Sequence, residues 1–266
     1  MNNLGKSVPL VSIITPYFRA HETLISTIKS VQHQTFDNWE LLIIDDHSND
    51  SLLELTEDIV KQDSRIKIHT NTEQKGAAGA RNSGLQRAQG RFIAFLDSDD
   101  LWASEKLEKQ LKFMQTNDAA FSYGDYYSFK SQNDDDNPII SGHFYAPDEV
   151  GFNELCRTCS IGCLTVMLDK SQLPDFKMPL TPKEDYSLWL TLTKEGVIAK
   201  HYGGMHAYYR VGQKSLSGNK WRELKRQFIV LRTVAGLPFF KSLWCLSQYI
   251  VNGLQKHKKY RATSQN

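Results

Sequence analysis

Asp97-Ser98-Asp99-Asp100 follows a short apolar run at residues 91–96 (RFIAFL). Carboxylates at positions i and i+2 beyond a buried strand can grip one Mn2+ or Mg2+, hard ions that take oxygen ligands, while a diphosphate supplies the remaining ligands. Such an ion neutralises the charge on a departing diphosphate. The same residues also suit a turn in which Asp97 or Ser98 caps the following segment. A second acidic pair, Glu184-Asp185, opens the segment Tyr186-Ser187-Leu188-Trp189. Acids there either provide a base for a hydroxyl proton or complement a helix N-terminus. Asp134-Asp135-Asp136 lies in a polar stretch with no strand behind it and reads as solvated loop.

Cys156, Cys159 and Cys163 are spaced C-x-x-C-x-x-x-C, but no fourth ligand stands nearby and Cys245 is remote. They read as buried packing residues rather than a zinc site. The glycines of residues 76–84 (GAAGARNSG) do not follow G-x-G-x-x-G, so a dinucleotide cofactor is unsupported. Gly76 and Gly79 instead allow a helix start to approach a ribose or the sheet closely.

These clusters need a scaffold, and the first hundred residues supply one. Residues 10–15 (LVSIIT) and 40–44 (ELLII) are short apolar runs rich in β-branched residues, and 66–69 and 91–96 complete a set of four predicted strands. Between them, Leu24, Ile28 and Val31 recur at helical spacing over residues 21–34. Leu52, Leu55 and Ile59 do so over 51–62, with Asp50 or Ser51 as the cap. A third helix runs to residue 89. Repeated βα units of this length imply an α/β fold with a mostly parallel sheet flanked by helices. In such sheets the ligand crevice lies beyond the carboxyl ends of the strands. Thr15-Pro16-Tyr17, Asp45-Asp46 and Asp97-Ser98-Asp99-Asp100 all fall at those ends. Past residue 117 the pattern is mixed, with strands expected at 119–129, 162–168 and 206–210 and a helix at 187–194.

The formal net charge of +2 hides an asymmetry. From Lys220 onward ten Lys or Arg face the single acid Glu223, a balance of +9, which leaves the preceding body at −7. Leu224, Phe228, Leu231 and Val234 are helically spaced, Gly236-Leu237-Pro238 breaks the helix, and a second amphipathic run ends in Lys256-His257-Lys258-Lys259. Anionic lipid headgroups and nucleic acid are the partners such a tail could take. No nucleic-acid-binding motif is present. Aromatics with flanking bases on helices too short and polar to span suit an anionic leaflet. No secretory signal is recognisable, so a cytoplasmic location is expected, and the tail would place the chain peripherally at the inner membrane face.

Residues 12–17 (SIITPY), 30–36 (SVQHQTF), 39–50 (WELLIIDDHSND), 76–84 and 92–102 (FIAFLDSDDLW) together resemble the ordered signature of family 2 glycosyltransferases. The resemblance is dense over residues 8–125 and thins out to about 215. It implies a GT-A type fold with a Rossmann-like sheet, arranged as a catalytic domain over 1–219 (nucleotide-binding half 1–117, acceptor half 118–219) and a tail over 220–266. It also implies an inverting, UDP-sugar-dependent hexosyl transfer with Mn2+ or Mg2+. By position, Thr15, Pro16 and Tyr17 would contact the donor nucleoside, Tyr17 by stacking on the base. Asp46 would accept from the uracil imide, Arg81 would lie near base or diphosphate, and Ser98 would face the nucleotide sugar. Asp99 would be the principal metal ligand, with Asp97 on the ribose or the ion. Asp185 would be the base, with Glu184, Trp189 and Arg210 on the acceptor or phosphate side. The glycine and glutamine after Arg210, Gly212-Gln213, depart from the histidine common in the family and put a further metal or phosphate contact there in doubt. In size and tail the chain is similar to bacterial O-antigen glycosyltransferases. Some of these are β-1,3-glucosyltransferases acting on a polyprenyl-diphosphate-linked sugar, which favours glucose as the sugar moved.

Overall fold

The computed structural model describes residues 8–130, 138–211 and 220–263. Asp134-Asp135-Asp136, Gly212-Gln213 and residues 215–217 lie outside them. The chain runs β1 (Val11–Tyr17), α1 (His21–Gln32), β2 (Trp39–Asp45), α2 (Leu52–Gln62), β3 (Ile66–Thr70), α3 (Ala77–Arg87) and β4 (Phe92–Phe95). The four strands pair in parallel in the order β3-β2-β1-β4. Their apolar runs are buried on both faces because helices cover both. Ile14, Leu42, Ile44, Ile93 and Phe95 join one core cluster, and Val11, Ile13, Leu41, Ile43 and Ala94 the other. Successive side chains of a strand point to opposite faces, so one run feeds two cores.

The second half continues with β5 (Leu101–Trp102), α4 (Lys106–Thr116), β6 (Phe121–Lys130), β7 (Ile139–Phe144), β8 (Glu149–Val150), α5 (Phe152–Leu155), β9 (Met167–Asp169), α6 (Glu184–Lys194), β10 (Ala199–Arg210), α7 (Lys220–Thr233) and α8 (Phe239–Thr263). The sheet extends as β4-β9-β6-β10-β5. β9 is antiparallel to both neighbours, so β6 and β10 run in the direction of β1 to β4. The expected strand at 162–168 is shortened, because Cys163–Thr165 forms a 3-10 turn. Thr165 donates both its backbone N–H (2.9 Å) and its hydroxyl (2.7 Å) to the Gly162 carbonyl, a local alternative to a strand ladder. β5 and α4 are additions to the sequence reading. Leu107, Leu111 and Met114 are the buried stripe of α4.

The glycines of α3 act on the preceding loop. A Cβ on Gly79 would lie 1.7 Å from the Gln74 carbonyl oxygen, so the helix start is pressed against loop 71–76 rather than against the sheet. The close approach to the sheet is made one turn later by Gly84, whose added Cβ would meet Ile14 at 2.5 Å.

The tail packs by one face. Val230, Leu231, Ala235, Leu237 and Cys245 share the core cluster of Phe121, Trp189 and Leu190. All four cysteines are free, and Cys156, Cys163 and Cys245 are buried. Among the described residues no group of three or more His, Cys, Asp or Glu is arranged to hold a metal.

Candidate active site

The site assembles at the carboxyl ends of β1, β2 and β4, where the loops are conformationally demanding. Arg19, His47 and Asn49 all take positive φ, between 51° and 57°. Non-glycine residues hold such angles only where their surroundings enforce them. Asp50 does much of the enforcing. It accepts from the Tyr17 hydroxyl (2.7 Å), the Ser48 hydroxyl (2.8 Å) and the Leu52 backbone N–H (3.2 Å), tying the tip of β1 to the start of α2.

That bond changes the role expected of Tyr17. Its ring is 1% exposed within the core and offers no free face to a base. The exposed ring at this tip is Phe18, 47% accessible, with the Arg19 guanidinium 5.3 Å and the Lys75 ammonium 5.1 Å from its centroid. Thr15 is fully buried, and its Oγ1 has no hydrogen-bond partner among the described residues. Pro16 continues the pairing with β2 opposite Ile44. Asp46 is buried and accepts from Asn71 Nδ2 (2.7 Å) and the Gly76 N–H (2.8 Å). It therefore folds loop 71–76 over the site, while each oxygen retains a second lone-pair direction.

At the tip of β4 the four-residue acid turn divides by exposure. Asp99 is exposed, Asp97 half-buried, and Ser98 and Asp100 buried. Helix α1 props the turn from below, Thr23 donating to the Ser98 carbonyl (2.8 Å) and Thr27 to that of Asp100 (2.9 Å). Arg210 braces it from β10: its backbone N–H donates to Asp100 Oδ1 (2.8 Å) and its Nε to the Asp99 carbonyl (2.7 Å). Burial first, then Asp97 and Asp99, push the Asp100 carboxyl far above the usual range. Asp99 is raised by partial desolvation and by Asp97.

Arg81 joins this acid turn to the second one. Its guanidinium is 4% exposed and donates to Asp97 Oδ1 (2.5 Å) through one nitrogen and to Glu184 Oε1 (2.8 Å) through the other. Burial opposes its charge, but Asp97, Glu184 and Asp185 outweigh that and hold it protonated. Two acids remote in sequence, Asp97 and Glu184, are thus clamped by one planar fork, the geometry arginine provides and lysine does not.

Glu184 and Asp185 form the first turn of α6. Asp185 is raised from the ordinary aspartate value, chiefly by burial, with Arg81 opposing. A raised carboxyl is a better proton acceptor for an alcohol than a solvated one. Trp189, expected on the acceptor side, is fully buried between Phe95 and Phe121, at ring separations of 6.1 and 5.1 Å. Helix α6 is buried on nearly all sides, and the residue one turn past Asp185 faces the sheet rather than the cleft.

The donor set suits a divalent ion. Asp97 and Asp99 offer hard oxygen atoms, their mutual repulsion is only partly offset by Arg81 on Asp97 and Arg210 near Asp99, and no third side-chain ligand accompanies them among the described residues. Magnesium-type sites built from one or two carboxylates are completed by substrate phosphates and water. Phe18 and Lys75 were missed from the sequence, and Asp50, the last residue of the motif over 39–50, was read there only as a helix cap. Phe18 adjoins the motif over 12–17, and only the fold brings Lys75 beside it.

The glycosyl transferase family 2 model matches residues 12–168. The chain is 46% identical over 253 residues to the UDP-Glc:alpha-D-GlcNAc-diphosphoundecaprenol beta-1,3-glucosyltransferase WfgD of Escherichia coli, covering 93% of this chain and 95% of that one. Among solved structures it is similar to S. aureus TarS 1-349 in complex with UDP (TM-score 0.62, 19% identity, 90% of this chain and 70% of that one). It is also similar to the mannosyltransferase PcManGT from Pyrobaculum calidifontis in complex with GDP-Man and Mn2+ (TM-score 0.63, 15% identity, 91% and 73%). These last two likenesses carry the fold, which is that of GT-A glycosyltransferases. Clamped acids at strand tips, the sheet order and these relatives converge: the chain belongs to glycosyl transferase family 2.

Proposed function

We propose that this enzyme transfers glucose from UDP-glucose to a hydroxyl of a diphosphoundecaprenol-linked sugar, with inversion to a β linkage. The carrying observation is Arg81 joining the Asp97 carboxylate to Glu184, which sets a diphosphate-side acid turn against a base-bearing helix. The relative WfgD, alike over nearly its whole length, is named for that donor and acceptor class.

UDP-glucose carries an α-linked sugar, so a β product follows from one displacement. Asp185 takes the acceptor's proton as that oxygen bonds to the anomeric carbon. The bond from that carbon to the diphosphate oxygen breaks, and UDP leaves with the electron pair. Asp99 and Asp97 would hold Mn2+ or Mg2+, which when bound offsets charge on the leaving diphosphate. Asp46, Phe18 and Lys75 frame the nucleoside end. The half over residues 1–117 carries the donor, 118–219 the acceptor, and Arg210 braces the acid turn from the acceptor side.

A lipid-linked acceptor brings the enzyme to a bilayer. Among the described residues no helix is long and apolar enough to cross one. Helices α7 and α8 instead expose Trp221 (81%), Phe239, Phe240 (83%), Leu243 and Trp244, with Arg222 and Lys241 also exposed. Such a face lies in an anionic interface, peripheral to the membrane.

Asp185→Asn tests the base. It keeps the shape and removes the proton acceptor, so UDP affinity by calorimetry should be unchanged within about twofold. Transfer to a synthetic lipid-diphosphate sugar should fall by at least ~10²-fold. Sustained transfer would remove Asp185 from the mechanism.

A further inference from the structure

Lys183 immediately precedes the acid pair and has φ +59° and ψ +58°, a left-handed conformation without glycine's freedom. Its carbonyl accepts the Ser187 N–H (2.8 Å), so this residue sets the direction in which α6 begins. What holds it comes from the tail. Its ammonium donates to Gln227 Oε1 of α7 (2.9 Å) and to the Tyr249 hydroxyl of α8 (3.2 Å), and lies 4.8 Å from the Tyr249 ring centroid. Gln227 is fully buried, and its Nε2 donates to the Tyr186 hydroxyl (2.8 Å), which itself donates to the Leu155 carbonyl (2.7 Å). One buried amide therefore grips the residues on either side of Glu184-Asp185.

We infer that Gln227 and Tyr249 are positioning residues for the transfer reaction, holding Lys183 left-handed so that Asp185 is aimed at the acceptor hydroxyl. The inference rests on Asp185 as the base. It assigns the C-terminal helices a part in catalysis separate from any contact with a membrane. An L-residue relaxes out of the left-handed region when nothing holds it, whereas glycine occupies that region at no steric cost. The tether is needed only because residue 183 is not glycine, and that makes the assignment testable.

Gln227→Met keeps the volume and removes both hydrogen bonds. Its kcat should fall on the order of tenfold, the population of left-handed residue 183 lost with the tether. The KM for the UDP-sugar and the affinity for UDP should stay within about twofold, since the bonds removed reach Lys183 and Tyr186 while Arg81 still ties Glu184 to Asp97. Adding Lys183→Gly should restore kcat to within about threefold of the parent, a rescue that a merely structural role for Gln227 does not produce. Tyr249→Phe, half-buried and expected to fold normally, should lower kcat by a smaller factor and be rescued in the same way; it carries the test alone if Gln227→Met does not fold. The inference is overturned if the folded variants keep the parent kcat, or if their loss persists with glycine at 183. Failure of the base assignment shows separately, as transfer surviving in Asp185→Asn.

Discussion

Arg81→Lys bears on the clamp that defines the site. The arginine makes two charge-assisted hydrogen bonds from a 4% exposed position, one to Asp97 and one to Glu184. A lysine ammonium is a point donor on a flexible stem and can serve one of those carboxylates at a time. One bond of roughly 1.5–3 kcal/mol is therefore lost. Both carboxylates keep access to water, with side-chain exposures of 35% and 25%, so the released one is rehydrated and the cost falls toward the low end, about 2 kcal/mol. With an m-value of about 2–3 kcal/mol/M, the urea midpoint should drop by roughly 0.7–1 M. Transfer should fall more steeply than stability, by tenfold or more, because the base helix and the acid turn lose their common reference, and misplacement of reacting groups is costly. Urea titration followed by intrinsic fluorescence, with initial transfer rates measured well below the midpoint, gives both numbers. A lysine variant with parental stability and parental kcat would show that the two acid clusters do not depend on Arg81.

Trp221→Glu combined with Phe240→Glu changes two exposed side chains and should abolish co-sedimentation with anionic vesicles while leaving transfer to a detergent-dispersed acceptor intact; retained sedimentation removes the proposed membrane face. Lys106 is fully buried, its Nζ lacks a hydrogen-bond partner among the described residues, and it lies 3.7 Å from the Trp102 ring centroid. Burial drives its pKa far below the ordinary lysine value, so over that interval the unfolded chain binds a proton that the folded protein does not, and stability rises with pH up to the unfolded pKa near 10.4. Lys106→Met should therefore add about 1–3 kcal/mol at pH 7 and remove that slope between pH 7 and 9.5 in urea melts; a loss of stability contradicts the argument.

Several features were legible from the residues because they are local. The four parallel strands carry unbroken apolar runs, and α1 and α2 carry apolar stripes at a period that a strand does not satisfy. Asp46, Asp97 and Asp99 were legible for a related reason: a polar residue directly after a buried strand must lie at its carboxyl end, where α/β sheets bind ligands. Tyr17 and Trp189 were misplaced because their motifs do not say which way a ring points. Tyr17 turns inward to reach Asp50, 33 positions away, and Trp189 is drawn into an aromatic core with Phe95 and Phe121.

Local periodicity and strand-end chemistry determined the βα order, the direction of the sheet and the acids at its rim, since each depends on residues within one turn or one strand. Tertiary structure decided which of those groups meet. Arg81 reaches Glu184 across 103 positions, and Lys183 is held by Gln227 and Tyr249 from the far end of the chain. Such pairings arise because α3, α6, α7 and α8, remote in sequence, pack into one core on the same face of the sheet, and no local pattern carries them, because the free energy that selects them belongs to the packed core as a whole.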